Sequence, residues 1–171
     1  MKHAWGFILS HTDCDSDYKL LCQINRLVGG DNLIYDCGYL RKISVRIGGT
    51  SWSPDLPCEN EIKKSLNGVL INNTRTYTDK AIELMLYTMR LQAFIDGNKK
   101  TTMLFANRYM ISHGCGIISI PIEHQLRFKE LLINYYETND SAIISKFIYD
   151  KCIDGMDLKK QKELSDSDIS K

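Results

Sequence analysis

Proline is scarce in this chain: there are three in 171 residues, two of them close together at Pro54 and Pro57. Long stretches are therefore free of the residue that most strongly interrupts helices. An excess of one charge is also missing, because 22 Lys plus Arg face 21 Asp plus Glu. Such a balance excludes a field that would wrap nucleic acid or adhere to an anionic membrane, and any basic site must be local. No apolar run approaches the roughly 20 residues that cross a bilayer. The six cysteines, at positions 14, 22, 37, 58, 115 and 152, show neither zinc-site pairing nor a compact disulfide ladder. They read as scattered small hydrophobes in a reducing compartment. The opening MKHAWGFIL is a brief apolar run followed by HTDCDSD without a small-residue cleavage site. The expectation is a cytoplasmic protein with no nucleic-acid or membrane partner.

What is present is helical rhythm. Tyr18, Leu21, Cys22, Ile24 and Leu27 recur at helical spacing over 17–28, and Gly29-Gly30 is expected to end that helix. Glu59 to Leu70 carries a second stripe, Lys80 to Gln92 a third with Thr78 or Asp79 as its cap, and the latter reads as a central, nearly buried helix. Asn98 is placed to cap a helix ending near His113-Gly114. Pro121 is expected as the first residue of the next one, and a last helix covers Ser141 to Cys152. Between Gly38 and Gly49, Ile43, Val45 and Ile47 alternate with Ser44 and Arg46, which predicts a short strand or one arm of a hairpin. Pro54 and Pro57 mark a rigid loop, and the tail from 154 to 171 is polar. The fold class is all-α, a compact helical bundle with a small β-hairpin flap.

The most informative stretch is LQAFIDGNKKTTMLFANRYM, residues 91–110, which sets two lysines at a helix start where the axial dipole favours negative charge. The amides of Gly97, Asn98, Lys99 and Lys100 include donors without intrahelical acceptors. Together with a lysine ammonium they suit a phosphate. Gly97 allows close backbone approach. Asp96 repels phosphate unless a divalent cation lies between them, which suggests magnesium. A second reading is also open to these residues: an ordinary interhelical turn with a capping Asn98, a locally bonded Asp96 and solvated lysines.

Gln92, Phe94, Asp96, Gly97, Asn98, Lys99 and Lys100 resemble the signature of the Fic (Fido) domain family, His-x-Phe-x-Asp/Glu-Gly-Asn-Gly/Lys-Arg, which joins two core helices. GYLRKISVRIGGTSWSPDLP is similar to the family's flap and the loop after it, and IPIEHQLRFKELLINYYETNDSAIISKFIYDKCI to its closing helices. The resemblance covers residues 3 to 153, and the domain it implies runs from 1 to 153. It implies transfer of AMP from ATP, with Mg2+, to a Ser, Thr or Tyr hydroxyl of a target protein. It implies catalytic positions at Gln92 and Lys100, nucleotide contacts at Phe94, Gly97, Asn98, Lys99 and Lys100, and a metal ligand at Asp96. Ile43, Ser44, Val45, Arg46 and Ile47 would dock the target by strand addition.

Two positions depart from the pattern. Lys100 stands for an arginine, keeping the charge without the planar fork. Gln92 stands for the histidine that accepts the hydroxyl proton, and a neutral amide can orient a hydroxyl but cannot serve as that base. A catalytically silent nucleotide-binding or interaction module is the alternative. The Ser/Thr-x-x-x-Glu-Gly/Asn pattern of the family's inhibitory helix has no match in the sequence, so a separate antitoxin-like inhibitor is an expected partner if the site is active. His113 is too far along its helix, more than about 20 Å, to replace the base. His124 reads as a surface residue, His3 and His11 as structural or exposed. Arg41 and Arg46 are open to phosphate binding or plain solvation, Trp52 to packing the flap loop, and Tyr135 and Tyr136 to mixed roles.

Overall fold

Two helices meeting at the Asp-Gly-Asn turn organise the molecule. The computed structural model describes residues 2–33 and 36–155, and the polar tail assigned from the sequence lies outside them beyond residue 155. In chain order the elements are α1 (Lys2–Ser10), α2 (Tyr18–Leu33), α3 (Glu59–Leu70), α4 (Tyr77–Leu91), α5 (Asn98–Ser112), β1 (Ile117–Ile118), a 3-10 turn (Ile122–His124), α6 (Gln125–Thr138), α7 (Ala142–Lys151) and β2 (Ile153–Asp154). The all-α expectation holds, with a minor β component.

Helix α5 lies at the centre, packed on α4, α2, α1 and β1. Its burial runs around the whole helix, from Thr101 and Thr102 through Leu104, Phe105 and Ala106 to Tyr109 and Met110. No apolar stripe marks it in the sequence because, past the exposed Lys99 and Lys100 of its first turn, no side of it is left wholly to solvent. Its buried polar residues instead hold remote backbone. Asn107 donates to the Ile118 carbonyl at 2.9 Å and accepts from the Ile118 amide at 2.6 Å. Arg108 donates to the carbonyls of His11 (3.1 Å) and Thr12 (2.9 Å) and to the Ser16 hydroxyl (2.7 Å), pinning the α1–α2 loop onto the end of α5.

Four local expectations are corrected. Helix α2 continues through Gly29-Gly30 to Leu33, since glycine lowers helix propensity without forbidding the helix. Helix α4 starts earlier, with Thr76 and Asp79 forming a reciprocal capping box, so Thr78 is inside the helix and Asp79 is the third residue of the box. Pro121 precedes a 3-10 turn, and α6 proper begins at Gln125. Residues 43–47 form no ladder; the observed antiparallel pair joins Ile117 to Asp154 and Ile118 to Ile153. The alternation in 43–47 reflects one-sided contact: Val45 and Ile47 are half-buried on the helices, Ile43 is exposed, and no described strand lies alongside. The Pro54–Pro57 loop and the span of α3 are as expected.

Candidate functional site

The turn from Gln92 to Asn98 is closed by its own side chains and by one from α2. Asn98 is the first residue of α5 rather than its cap; that position belongs to Gly97, at φ +76°. An L side chain is strained there, so glycine lets the chain enter the helix. The buried Asn98 amide bonds Phe94 in both directions, accepting from its N–H at 2.9 Å and donating to its carbonyl at 2.7 Å. Asn25 of α2 donates to the Asp96 carbonyl at 3.1 Å and to the Thr101 hydroxyl at 3.0 Å, while accepting from the Gly38 amide at 2.8 Å. Gly38 has to be glycine for that approach, because a Cβ would lie 2.8 Å from the Cys22 carbonyl. Nothing in the local sequence points to Asn25, which stands far upstream of the turn.

Above the turn lies a groove of about 360 Å³, lined by Val28, Val45, Arg46, Gln92, Ile95 and the run Asp96 to Lys100. Three cationic residues, Arg46, Lys99 and Lys100, face it against one carboxylate, Asp96, although the whole chain is nearly neutral. The helix-start amides of α5 open beside them, so dipole and side chains favour the same anion. Asp96 accepts from the Gly97 amide at 2.5 Å, a local turn bond that occupies one carboxylate oxygen. Phe94 is buried in the core and supports the turn from beneath, so its expected nucleotide contact is corrected: it does not line the groove.

Gln92 is the strained member. It closes α4 in the left-handed region at φ +46°, where residues other than glycine or asparagine are uncommon. Its Nε2 donates to the Met89 carbonyl at 2.6 Å, so the amide nitrogen is turned onto the helix end. Beside it stands the hydroxyl of Tyr136, 1 % exposed. Burial pushes the pKa of that phenol up while the Gln92 amide pulls it down. Tyr136 stacks on Trp52 with ring centroids 5.6 Å apart, and the Arg90 guanidinium covers the other ring at 4.4 Å. Tyr135 and Tyr136 are thus both buried, since α6 is enclosed on more than one side.

Arg41 is a structural residue that the sequence left ambiguous. Only 3 % exposed, it donates to the carbonyls of Gln92 (2.7 Å), Ile43 (2.8 Å), Pro54 (3.2 Å) and Asp55 (2.5 Å). Its own amide donates to the Ala93 carbonyl at 3.0 Å. Arg41 therefore ties the flap segment to the turn and is not a ligand-facing cation. Arg46 is exposed at the groove. His113 sits at the far end of α5, stacked on Tyr77 with Tyr109 tilted against it, and His124 is half-buried against Phe147. A larger groove, about 840 Å³, lies at that far end, but its buried cations Lys80 and Arg108 are already bonded to the carbonyls of Leu70, His11 and Thr12. Its lining also holds two carboxylates, Asp15 and Asp17, whereas the smaller groove sets Lys99 and Lys100 beside the first amides of α5.

Among the described residues no helix is long and apolar enough to cross a membrane, and no group of three or more His, Cys, Asp or Glu side chains is gathered as a metal site. Asp96 alone fits magnesium only as a ligand shared with phosphate oxygens and water, the usual habit of that ion at nucleotide sites.

No family model and no curated protein sequence match this chain. Solved structures do. BepC, a VirB-translocated effector protein of Bartonella tribocorum whose crystal structure contains bound AMPPNP, is similar at a TM-score of 0.63 and 13 % identity, over 87 % of this chain and 82 % of that one. Fic-1 (residues 134–508) from C. elegans is similar at 0.64 and 19 %, over 85 % of this chain. The chain spans 45 % of that Fic-1 chain. The architecture is therefore the Fic-like fold.

Proposed function

We propose that this chain is a Fic-type domain that binds ATP in the groove over residues 92–100 and transfers AMP, with atypical chemistry at Gln92, to a Ser, Thr or Tyr hydroxyl on a target protein. The observation that carries the reading is the groove itself: amides at the Gly97 turn, Lys99, Lys100 and Arg46 converge on one small volume in a chain of balanced charge. The AMPPNP-bound structure of similar fold supports a nucleotide as the anion. Asp96 would hold magnesium jointly with the phosphates, and the ion would supply charge neutralisation there. Lys100 would neutralise phosphate charge as a point cation. The irregular segment 43–47 borders the groove through Val45 and Arg46, and would receive an extended target strand and bring its hydroxyl towards the α-phosphate.

A silent, nucleotide-binding form of the same site is the second reading, and Gln92 favours it. A neutral amide bonded to the Met89 carbonyl has no basic nitrogen with which to remove a proton. Loss of a general base typically costs about two to four powers of ten in rate.

The test is calorimetry with magnesium and ATP, followed by labelling with ATP carrying a labelled α-phosphate. Wild type should bind, and Lys100→Ala should weaken binding with no change in melting temperature, because its side chain is exposed. Gln92→His should raise label transfer while leaving affinity about the same, since a base acts on turnover. Binding without transfer by either protein, given a confirmed target, selects the silent form. No binding at millimolar ATP rejects both.

A further inference from the structure

Asn25 is 1 % exposed and reaches the groove's turn from 71 residues upstream. Its amide is fully engaged: Nδ2 donates to the Asp96 carbonyl at 3.1 Å and to the Thr101 hydroxyl at 3.0 Å, and Oδ1 accepts from the Gly38 amide at 2.8 Å. The bond to Asp96 reaches further than one atom. The Asp96 carbonyl and the Gly97 N–H belong to one planar trans peptide, in which they point in opposite directions. Fixing the carbonyl therefore fixes the amide.

Gly97, at φ +76° and ψ 3°, has the dihedrals of the third residue of a type II turn. Rotating the 96–97 peptide alone gives a type I turn, whose third residue sits at about −90° and 0°, and glycine accepts both forms. That rotation exchanges the Gly97 N–H with the Asp96 carbonyl oxygen, setting a partial negative charge where the amide now stands. Glycine leaves the choice open, so it is made from outside the turn. Asn25 bonds the carbonyl in the form observed. In that form the Gly97 amide donates to the Asp96 carboxylate at 2.5 Å, and both residues line the anion groove.

We infer that Asn25 is a positioning residue for the anion groove: by holding the Asp96 carbonyl it selects the peptide orientation that presents the Gly97 N–H, with the Asp96 carboxylate bonded to it, on the groove side. The same amide holds Gly38 ahead of the flap segment, so the base of the flap and the turn share one buried bracket. Asn25 acts through Asp96 and Gly97 and does not touch the nucleotide. The role rests on the nucleotide reading of the groove.

The test uses wild type, Asn25→Asp, Asn25→Ala and Thr101→Val. Melting temperature, calorimetry with magnesium and ATP well below the lowest melting temperature, and the Gly97 amide resonance by NMR are measured for each. Asn25→Asp keeps the shape and the acceptor for Gly38 but loses both donors. The neutral Asn25→Ala removes the amide outright, and gives the same reading if a buried carboxylate prevents folding. Thr101→Val removes the other partner of Nδ2 and leaves the Asp96 bond in place. All three should melt below wild type, because each leaves buried polar groups without a partner. Only the Asn25 variants should bind ATP more weakly, by about 10-fold or more, the usual worth of a hydrogen bond to a charged group. They alone should displace the Gly97 resonance in the free protein. Unchanged affinity or an unmoved Gly97 resonance in the Asn25 variants, or an equal loss of affinity in Thr101→Val, overturns the role and leaves the nucleotide reading standing. Failure of wild type to bind at millimolar ATP rejects that reading, and the role with it.

Discussion

Two segments border the groove and are built in opposite ways. In the turn from Gln92 to Asn98 the backbone is bonded to fixed partners: Asn98 holds Phe94 twice, Asn25 reaches in from α2, and Arg41 takes the Gln92 carbonyl. In the segment from 42 to 49 the single described hydrogen bond is the one that the Ile43 carbonyl receives from Arg41, and Lys42, Ile43, Ser44 and Arg46 are exposed. The flap is held at its ends, by Arg41 on one side and on the other by Thr50, whose hydroxyl donates to Glu137 at 2.7 Å. A site that must place phosphate needs amides already aimed, and a site that must accept different extended chains needs unpaired backbone. Under the proposed function, the first wall would be preorganised for phosphate and the second left open for strand addition.

The sharpest way to break the contrast is to remove the residue that serves both walls. Arg41→Ala strips the donor from four backbone carbonyls, and is expected to cost on the order of 3 kcal/mol. For a chain of this length that lowers the melting temperature by about 10 °C, measurable by scanning calorimetry. Arg41→Lys should recover little of it, because one ammonium cannot span carbonyls that the guanidinium fork reaches together. A variant melting like wild type would show that the flap is anchored elsewhere.

Next in size, Asn98→Ala should cost about 2 kcal/mol for two buried hydrogen bonds. Asn98→Asp should not restore it, since it keeps the acceptor for the Phe94 amide but loses the donor to the Phe94 carbonyl. Urea unfolding measures both. If Asn98→Asp is as stable as wild type, the donor half of the clasp is dispensable and the turn is less fixed than described.

The smallest effect on stability belongs to the other wall. Val45→Pro removes a backbone donor in a segment without a ladder, so the unfolding free energy should change by less than about 0.5 kcal/mol. Capture of an extended target peptide should nevertheless be lost while ATP affinity is retained. A large drop in stability would identify the segment as part of the scaffold.

Much of the fold was legible because its signals are local. The stripe of α3, the prolines of the 54–57 loop and the glycine entering α5 each act within one or two turns of chain. The groove was legible as a phosphate-suited turn, since helix-start amides and adjacent lysines are neighbours in sequence. Asn25 and Arg41 were not, because their roles depend on α2 and the flap arriving at the same turn from distant parts of the chain. Residues 43–47 show the opposite error: alternation reports which side of a segment is buried, but a ladder also needs a neighbouring backbone, and none is described there.

The sequence by itself determined that the chain is helical, that its charge is balanced overall, and that its one concentrated anion-suited feature is the turn at Asp96 to Lys100, because periodicity, net charge and helix-start chemistry are properties of near neighbours. Only the tertiary structure decided that Asn98 is a clasp rather than a cap, that Arg41 is a buried tie, and that the Gln92 amide is turned onto the Met89 carbonyl. Those roles are fixed by which polar groups packing removes from water and which partners it leaves within reach, and that is settled only when distant segments meet.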